Sequence, residues 1–227
     1  MPPPSSRRAV IVAALGALAG AAAPAPKPPV KTSGRPPAPG RVRWPAAAGD
    51  MSLGNPNAPV HVVEYLSLTC PHCAAFHGTV FPDFRKKYID TGRVYFTLRE
   101  LLTDPVTVAA AGFLMARCGD GSKYFAVVDQ VFKSQPRWRS GAIKPIFTEI
   151  AQANGITSAQ FEACIVDEKA NAALEKRIEY AVETDHVNGT PTFFINGVLL
   201  VNDHVPTLPE LDVAIAKAMA APVKGRR

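Results

Sequence analysis

Acidic side chains are missing from the first 45 residues, which hold seven basic ones: Arg7, Arg8, Lys27, Lys31, Arg35, Arg41 and Arg43. The 227-residue chain has a formal net charge of +6, so everything after residue 45 carries 18 basic against 19 acidic side chains. A globular part with no positive excess is a poor phosphate binder, and no nucleic-acid partner is expected. Cysteine is scarce too: there are four, of which only Cys70 and Cys73 are close in sequence. A zinc site would need a second ligand pair at similar spacing, but Cys118 and Cys164 stand apart. His72 and His77, crowded beside the first pair, would make an awkward tetrahedron, so no metal site is expected. No internal repeat is visible.

The apolar run Ala9 to Ala23, about 15 residues, falls short of the roughly 20 that span a bilayer comfortably. Following the charged Arg7 and Arg8, and with small residues from Gly20 to Ala25, residues 1–23 read as an export signal. A cleaved leader is favoured over a retained anchor. Ser6-Arg7-Arg8-Ala9 is similar to a twin-arginine signal, although an ordinary Sec leader accounts for it as well. Pro24 to Pro45 holds eight of the 22 prolines and no apolar periodicity. Residues 24–49 are therefore assigned to a Pro-rich linker, which offers no heptads for dimerisation, and a monomer is expected.

Thr69-Cys70-Pro71-His72-Cys73 follows an apolar run, Val60 to Leu66, and precedes an amphipathic stretch, so the cysteines fall where a strand becomes a helix. The free N–H groups of a helix's first turn and its dipole favour an anion there. Pro71 suits the first turn because its missing N–H is harmless. His72 can add charge or a hydrogen bond. Cys70 should therefore titrate below the usual thiol range and act as a nucleophile, with Cys73 one turn on to attack a mixed disulfide. Glu64, in a run apolar on both parities, should have a raised pKa and exchange protons with Cys73.

Elsewhere, Asp50 to Pro59 reads as a loop. Helix one runs from Pro71 to Asp90, kinked at Pro82 and closed by Gly92, and Arg93 to Leu101 is a second strand. Asp104-Pro105 reads as a cap and a first-turn proline opening a helix to Arg117. Helices are then expected over Ser122 to Lys133, Ala142 to Ala153, Ser158 to Val166 and Glu168 to Thr184. Thr192 to Val201 is a hairpin about Asn196-Gly197, and a last helix covers Leu208 to Ala220. His61, His186 and His204 read as structural or solvated, and Arg85-Lys86-Lys87 and Arg137-Trp138-Arg139 as solvated faces.

The Glu64 to Cys73 segment, the helical block and Gly189-Thr190-Pro191-Thr192-Phe193-Phe194-Ile195-Asn196-Gly197 together resemble the DsbA-type thiol:disulfide oxidoreductases of the thioredoxin superfamily. The resemblance covers about residues 50 to 220. It implies an α/β thioredoxin-like fold over residues 50–103 and 188–222, with an inserted all-helical domain over residues 104–187. It matches Cys70 to the family's reactive cysteine, Cys73 to its resolving partner, His72 to the histidine that stabilises the thiolate and Glu64 to the buried acid. Thr190-Pro191 is similar to the loop whose cis-proline faces the dithiol and pairs with substrate backbone. From the sequence itself a trans proline opening an edge strand fits equally well. The resemblance also implies a structural Cys118–Cys164 disulfide. Two free thiols are the alternative.

The implied reaction is dithiol–disulfide exchange that oxidises reduced exported polypeptides in the periplasm, with reoxidation by a DsbB-like membrane quinone reductase and no bound cofactor. Thr190 stands where the best-known oxidases have valine. That leaves room for a disulfide isomerase or reductase. A thiol-based metal-binding protein on the same fold is the alternative from a different class.

Overall fold

A computed structural model of the chain describes residues 44–138, 141–202 and 204–221. The leader, the linker up to residue 43 and Arg139 lie outside the described residues. Five strands form one sheet in the order β1-β3-β2-β4-β5, with β1 Met51–Gly54, β2 Val60–Leu66, β3 Val94–Glu100, β4 Thr192–Ile195 and β5 Val198–Val201. Only β2 and β3 pair in parallel; the other pairings are antiparallel. All seven residues of β2 are buried, as a run that is apolar on both parities requires at the centre of a sheet covered on both faces.

The chain crosses from β2 to β3 through α1 Pro71–Thr79, the short α2 Phe81–Phe84 and a π-turn over Arg85–Ile89. The break comes at Val80, and Pro82 sits in the first turn of α2, where its ring and missing N–H are tolerated. Gly92, at φ +71°, then reverses the chain into β3. Between β3 and β4 lies the helical insertion: α3 Val106–Ala116, α4 Tyr124–Trp138, α5 Ile143–Ala153, α6 Ser158–Val166 and α7 Glu168–Glu179, the last extended by a π-turn over Tyr180–Thr184. The hairpin β4–β5 turns on Asn196 and Gly197, both with positive φ, and α8 Leu208–Ala220 closes the fold. No helix among the described residues is long and apolar enough to cross a membrane.

Four expectations change. Asp50 to Pro59 contains a strand, β1, whose Ser52 meets Thr97 of β3 side chain to side chain at 2.8 Å. Asp104 caps nothing: the Asp104–Pro105 bond is cis and Pro105, in extended conformation, is the N-cap of α3. Trp138 is buried, and α4 runs on to include it and Pro136 because its Val127, Val131, Phe132 and Trp138 pack into the core. The end of the linker is also docked. Trp44 stacks on Phe194 at 4.6 Å and donates from Nε1 to Asp185.

Two buried ion clusters tie the parts together. Arg99 of β3 pairs with Asp50 at 2.8 Å and with Asp185 at 2.6 Å, and it donates to the Pro45 carbonyl. The Glu100 carboxylate, fully buried, accepts from Arg117 at the C-cap of α3 and Arg177 of α7 at 2.6 Å each and from the Tyr124 hydroxyl of α4 at 3.0 Å. One carboxylate thus holds three helices of the insertion against the sheet. Cys118, just after α3, and Cys164 of α6 are joined by a disulfide, which closes the insertion on itself.

Candidate active site

The end of β2 leads through Ser67-Leu68-Thr69 into Cys70, which is the N-cap of α1 with extended backbone, and Pro71 fills the first helical position. This segment is fixed from three sides. The Thr69 hydroxyl donates to the Thr103 carbonyl at 2.8 Å, and the Thr103 N–H donates to the Ser67 hydroxyl at 3.1 Å. Gln135, buried on α4, donates to the carbonyls of Leu68 at 2.9 Å and Cys70 at 3.1 Å. Gly112 of α3 lets that helix come close, since a Cβ there would lie 2.7 Å from Leu68 Cδ1. The insertion therefore forms part of the seat of the dithiol.

Both Cys70 and Cys73 are free thiols and buried. The Cys70 pKa is lowered to about 5, first by a hydrogen bond from the Cys73 thiol and further by the backbone N–H groups of Cys73 and His72, while burial opposes the shift. Thr190 adds to the lowering through its side chain, and its hydroxyl is buried without a hydrogen-bond partner among the described residues. Cys73 moves the other way. Burial pushes it well above the usual thiol range, helped by the hydrogen bond it gives to Cys70 and by the charges of Cys70 and Glu64. His72 itself is exposed, and the lowering it brings comes from its backbone. One sulfur is thus held ready as an anion and the other as a thiol, which is the asymmetry that thiol–disulfide exchange uses.

Thr190–Pro191 faces the dithiol: the bond is cis, and the Thr190 carbonyl lies 3.2 Å from the Cys70 sulfur. Glu64 sits in β2 opposite Leu98 of β3 and Phe193 of β4 and has no exposure. Burial raises its pKa, a tendency that His77 opposes and the Cys70 charge reinforces. The fold thus gathers Glu64, Cys70, Pro71, His72, Cys73, Thr190 and Pro191 at one end of the central strands, while Cys118 and Cys164 lie in the insertion. Two residues of this site were not singled out in the sequence. His77, considered there only as a metal ligand, bonds Glu64 at 2.9 Å, and Gln135 holds the cysteine loop. The available signal was polarity on a buried face: His77 follows Cys73 by one helical turn, and Gln135 follows Val131 in the same way. No group of three or more His, Cys, Asp or Glu side chains placed to hold a metal exists among the described residues.

The thioredoxin family model matches residues 46–215. The chain belongs to that family. A Rickettsia bellii protein named a protein-disulfide oxidoreductase is 34% identical over 85% of this chain and 71% of its own length. A Rickettsia conorii protein of the same name is 36% identical over 75% of this chain and 60% of its own. Among solved structures, Wolbachia pipientis alpha-DsbA1 aligns with a TM-score of 0.68 and 27% identity, covering 77% of this chain and 92% of that one. Within the thioredoxin family the chain is of the DsbA type, a thiol:disulfide oxidoreductase whose thioredoxin fold carries a helical insertion.

Proposed function

We propose that the protein introduces disulfide bonds into reduced, exported polypeptides. The observation that carries this is the placement of the two thiols: Cys70 sits at the N-cap of α1, 3.2 Å from the Thr190 carbonyl, with its pKa lowered, while Cys73 is fully buried and pushed up by that burial. In the oxidised enzyme a substrate thiolate attacks the Cys70 sulfur. The Cys70–Cys73 bond breaks, and Cys73 leaves with the bonding pair and takes a proton from Glu64. A second substrate thiolate then attacks the substrate sulfur of the mixed disulfide, and Cys70 departs as its stabilised thiolate. The substrate is oxidised by two electrons and the enzyme reduced by two. Thr190 and Pro191 border the sulfur, where the backbone of an extended substrate can pair beside Cys70.

The reduced dithiol must be reoxidised by an external disulfide or quinone system. A DsbB-like membrane quinone reductase is the partner this chemistry fits. An oxidising compartment such as the periplasm agrees with the Cys118–Cys164 bridge, since structural disulfides persist there and are rare in the cytosol. The test is stoichiometric. Oxidised protein is mixed with a reduced, unfolded polypeptide bearing two thiols, and both are trapped by alkylation. The reading requires the polypeptide to gain a disulfide as Cys70 and Cys73 become thiols, with Cys70→Ser inert. Absence of exchange by the wild type would overturn it, and reshuffling of a scrambled substrate without net oxidation would move the assignment to isomerase.

A further inference from the structure

The His77 ring is enclosed. It stacks at 4.6 Å on Phe81 of α2 and 4.8 Å on Phe132 of α4, and the edge of Phe76 comes to 5.4 Å. Its one polar contact among the described hydrogen bonds is Nε2 to Glu64 Oε2 at 2.9 Å, with the His77 side chain 5% exposed and that of Glu64 wholly buried. Glu64 Oε1 is buried and bonds no protein group. A buried carboxylate oxygen without a protein donor is costly, so Oε1, unlike Oε2, is the oxygen whose charge the protein leaves unpaired. The neighbours Leu98 and Phe193 are apolar, so the titratable groups that act on Glu64 are His77, Cys70 and Cys73.

We infer that His77 is a positioning residue and proton partner for Glu64: by donating from Nε2 to Oε2, it leaves Oε1 as the atom that exchanges a proton with Cys73. This rests on the dithiol-exchange function proposed above and deepens it. In the reoxidation half-reaction, Cys70 is joined to an external sulfur. The Cys73 thiol gives its proton to Oε1, and its sulfur attacks Cys70 Sγ. The Cys70–Cys73 bond forms, and the external sulfur leaves as a thiolate with the electron pair of the broken bond. The His77 N–H stabilises the Glu64 carboxylate before the transfer. In the substrate-oxidising half-reaction the same proton returns from Oε1 to the departing Cys73. The aromatic enclosure keeps water from competing for Nε2, and a hydrogen bond that involves a charge is strongest in such surroundings.

The test is the single-turnover rate at which Cys73 displaces glutathione from a Cys70–glutathione mixed disulfide, followed against pH. His77→Phe keeps the ring stacking but removes the donor. It is expected to slow displacement about tenfold at pH 7 and move the acid limb of the profile up by about one pH unit, the worth of one charge-assisted hydrogen bond. His77→Gln, which can still donate from Nε2, is expected within about twofold of wild type. Combining His77→Phe with Glu64→Gln should add little beyond Glu64→Gln alone, because the two act as a unit. In the wild type, where no folding defect can intervene, the His77 Nε2–H proton should be visible by NMR, protected from exchange and hydrogen-bonded to Glu64 Oε2. An unshifted profile in His77→Phe, multiplying losses in the double variant, or a His77 Nε2 that carries no proton towards Glu64 would each overturn the assignment. If instead wild-type protein forms no mixed disulfide at all, it is the exchange function itself that fails.

Discussion

Cys70 makes the stability of the reduced protein depend on pH, and the size of the effect follows from its environment. Its pKa is about 5 in the folded state against an ordinary value of 9.0. Because the folded value is depressed, the contribution is complete above the unfolded pKa and is lost as pH falls through the folded one. Four pH units at 1.36 kcal/mol each give about 5 kcal/mol above pH 9 and about 3 kcal/mol near pH 7, falling to almost nothing below pH 5. The reference is Cys70→Ser, close in size and unable to ionise. Urea unfolding of both proteins, fully reduced so that Cys118–Cys164 cancels, should give a difference that grows by about 1.4 kcal/mol per pH unit from pH 5 upward. A difference that stays flat between pH 5 and pH 8 would mean that the fold does not stabilise the Cys70 thiolate. The oxidised form has no thiolate and gains nothing. The same 3 kcal/mol therefore drives the enzyme towards its reduced state, worth about 60 mV of oxidising power.

Replacing Gln135 with Leu leaves the Leu68 and Cys70 carbonyls without their donor. Thermal unfolding should show a loss of about 2 to 3 kcal/mol, and alkylation of Cys70 at limiting reagent should change in rate, whereas a loss confined to the fold would leave that rate intact. Glu100→Gln removes the charge that two guanidinium groups share. A loss of about 3 kcal/mol is expected in urea unfolding, towards the low end for a buried pair because both arginines keep some exposure. The double change Cys118→Ser with Cys164→Ser opens a loop of 46 residues. It should lower stability by about 4 kcal/mol in denaturant while leaving the oxidation of a dithiol substrate unchanged, and a loss of activity in folded protein would count against a purely structural bridge.

The legible parts of the sequence were those that local pattern decides. Val60–Leu66 announces itself because both faces are apolar, the hairpin because Asn196-Gly197 accepts positive φ, and the helix after Cys70 because Pro71 suits a first turn. What local pattern does not decide is what long-range pairing creates. Met51–Gly54 is four residues with a polar Ser52 and a terminal glycine, and it is a strand only because β3 offers it an edge. Trp44 reads as linker because its partners Phe194 and Asp185 lie more than 140 positions away. The cysteines, Glu64 and Thr190-Pro191 could be read as a site because their chemistry is concentrated in short motifs. His77 and Gln135 could not, since a buried polar side chain is recognisable only once its partner is known. For His77 that partner is 13 positions back, and for Gln135 it is more than 60.

Oxidising power in this dithiol comes from Cys70 being a stabilised thiolate facing a protonated Cys73. The most direct measurement is the equilibrium of the Cys70–Cys73 disulfide against reduced and oxidised glutathione at pH 7, in protein that keeps its Cys118–Cys164 bridge. A couple more oxidising than glutathione is expected, with half of the protein reduced at a small excess of thiol. A dithiol that stays oxidised at the glutathione poise of a reducing cytosol, as a structural disulfide does, would contradict it.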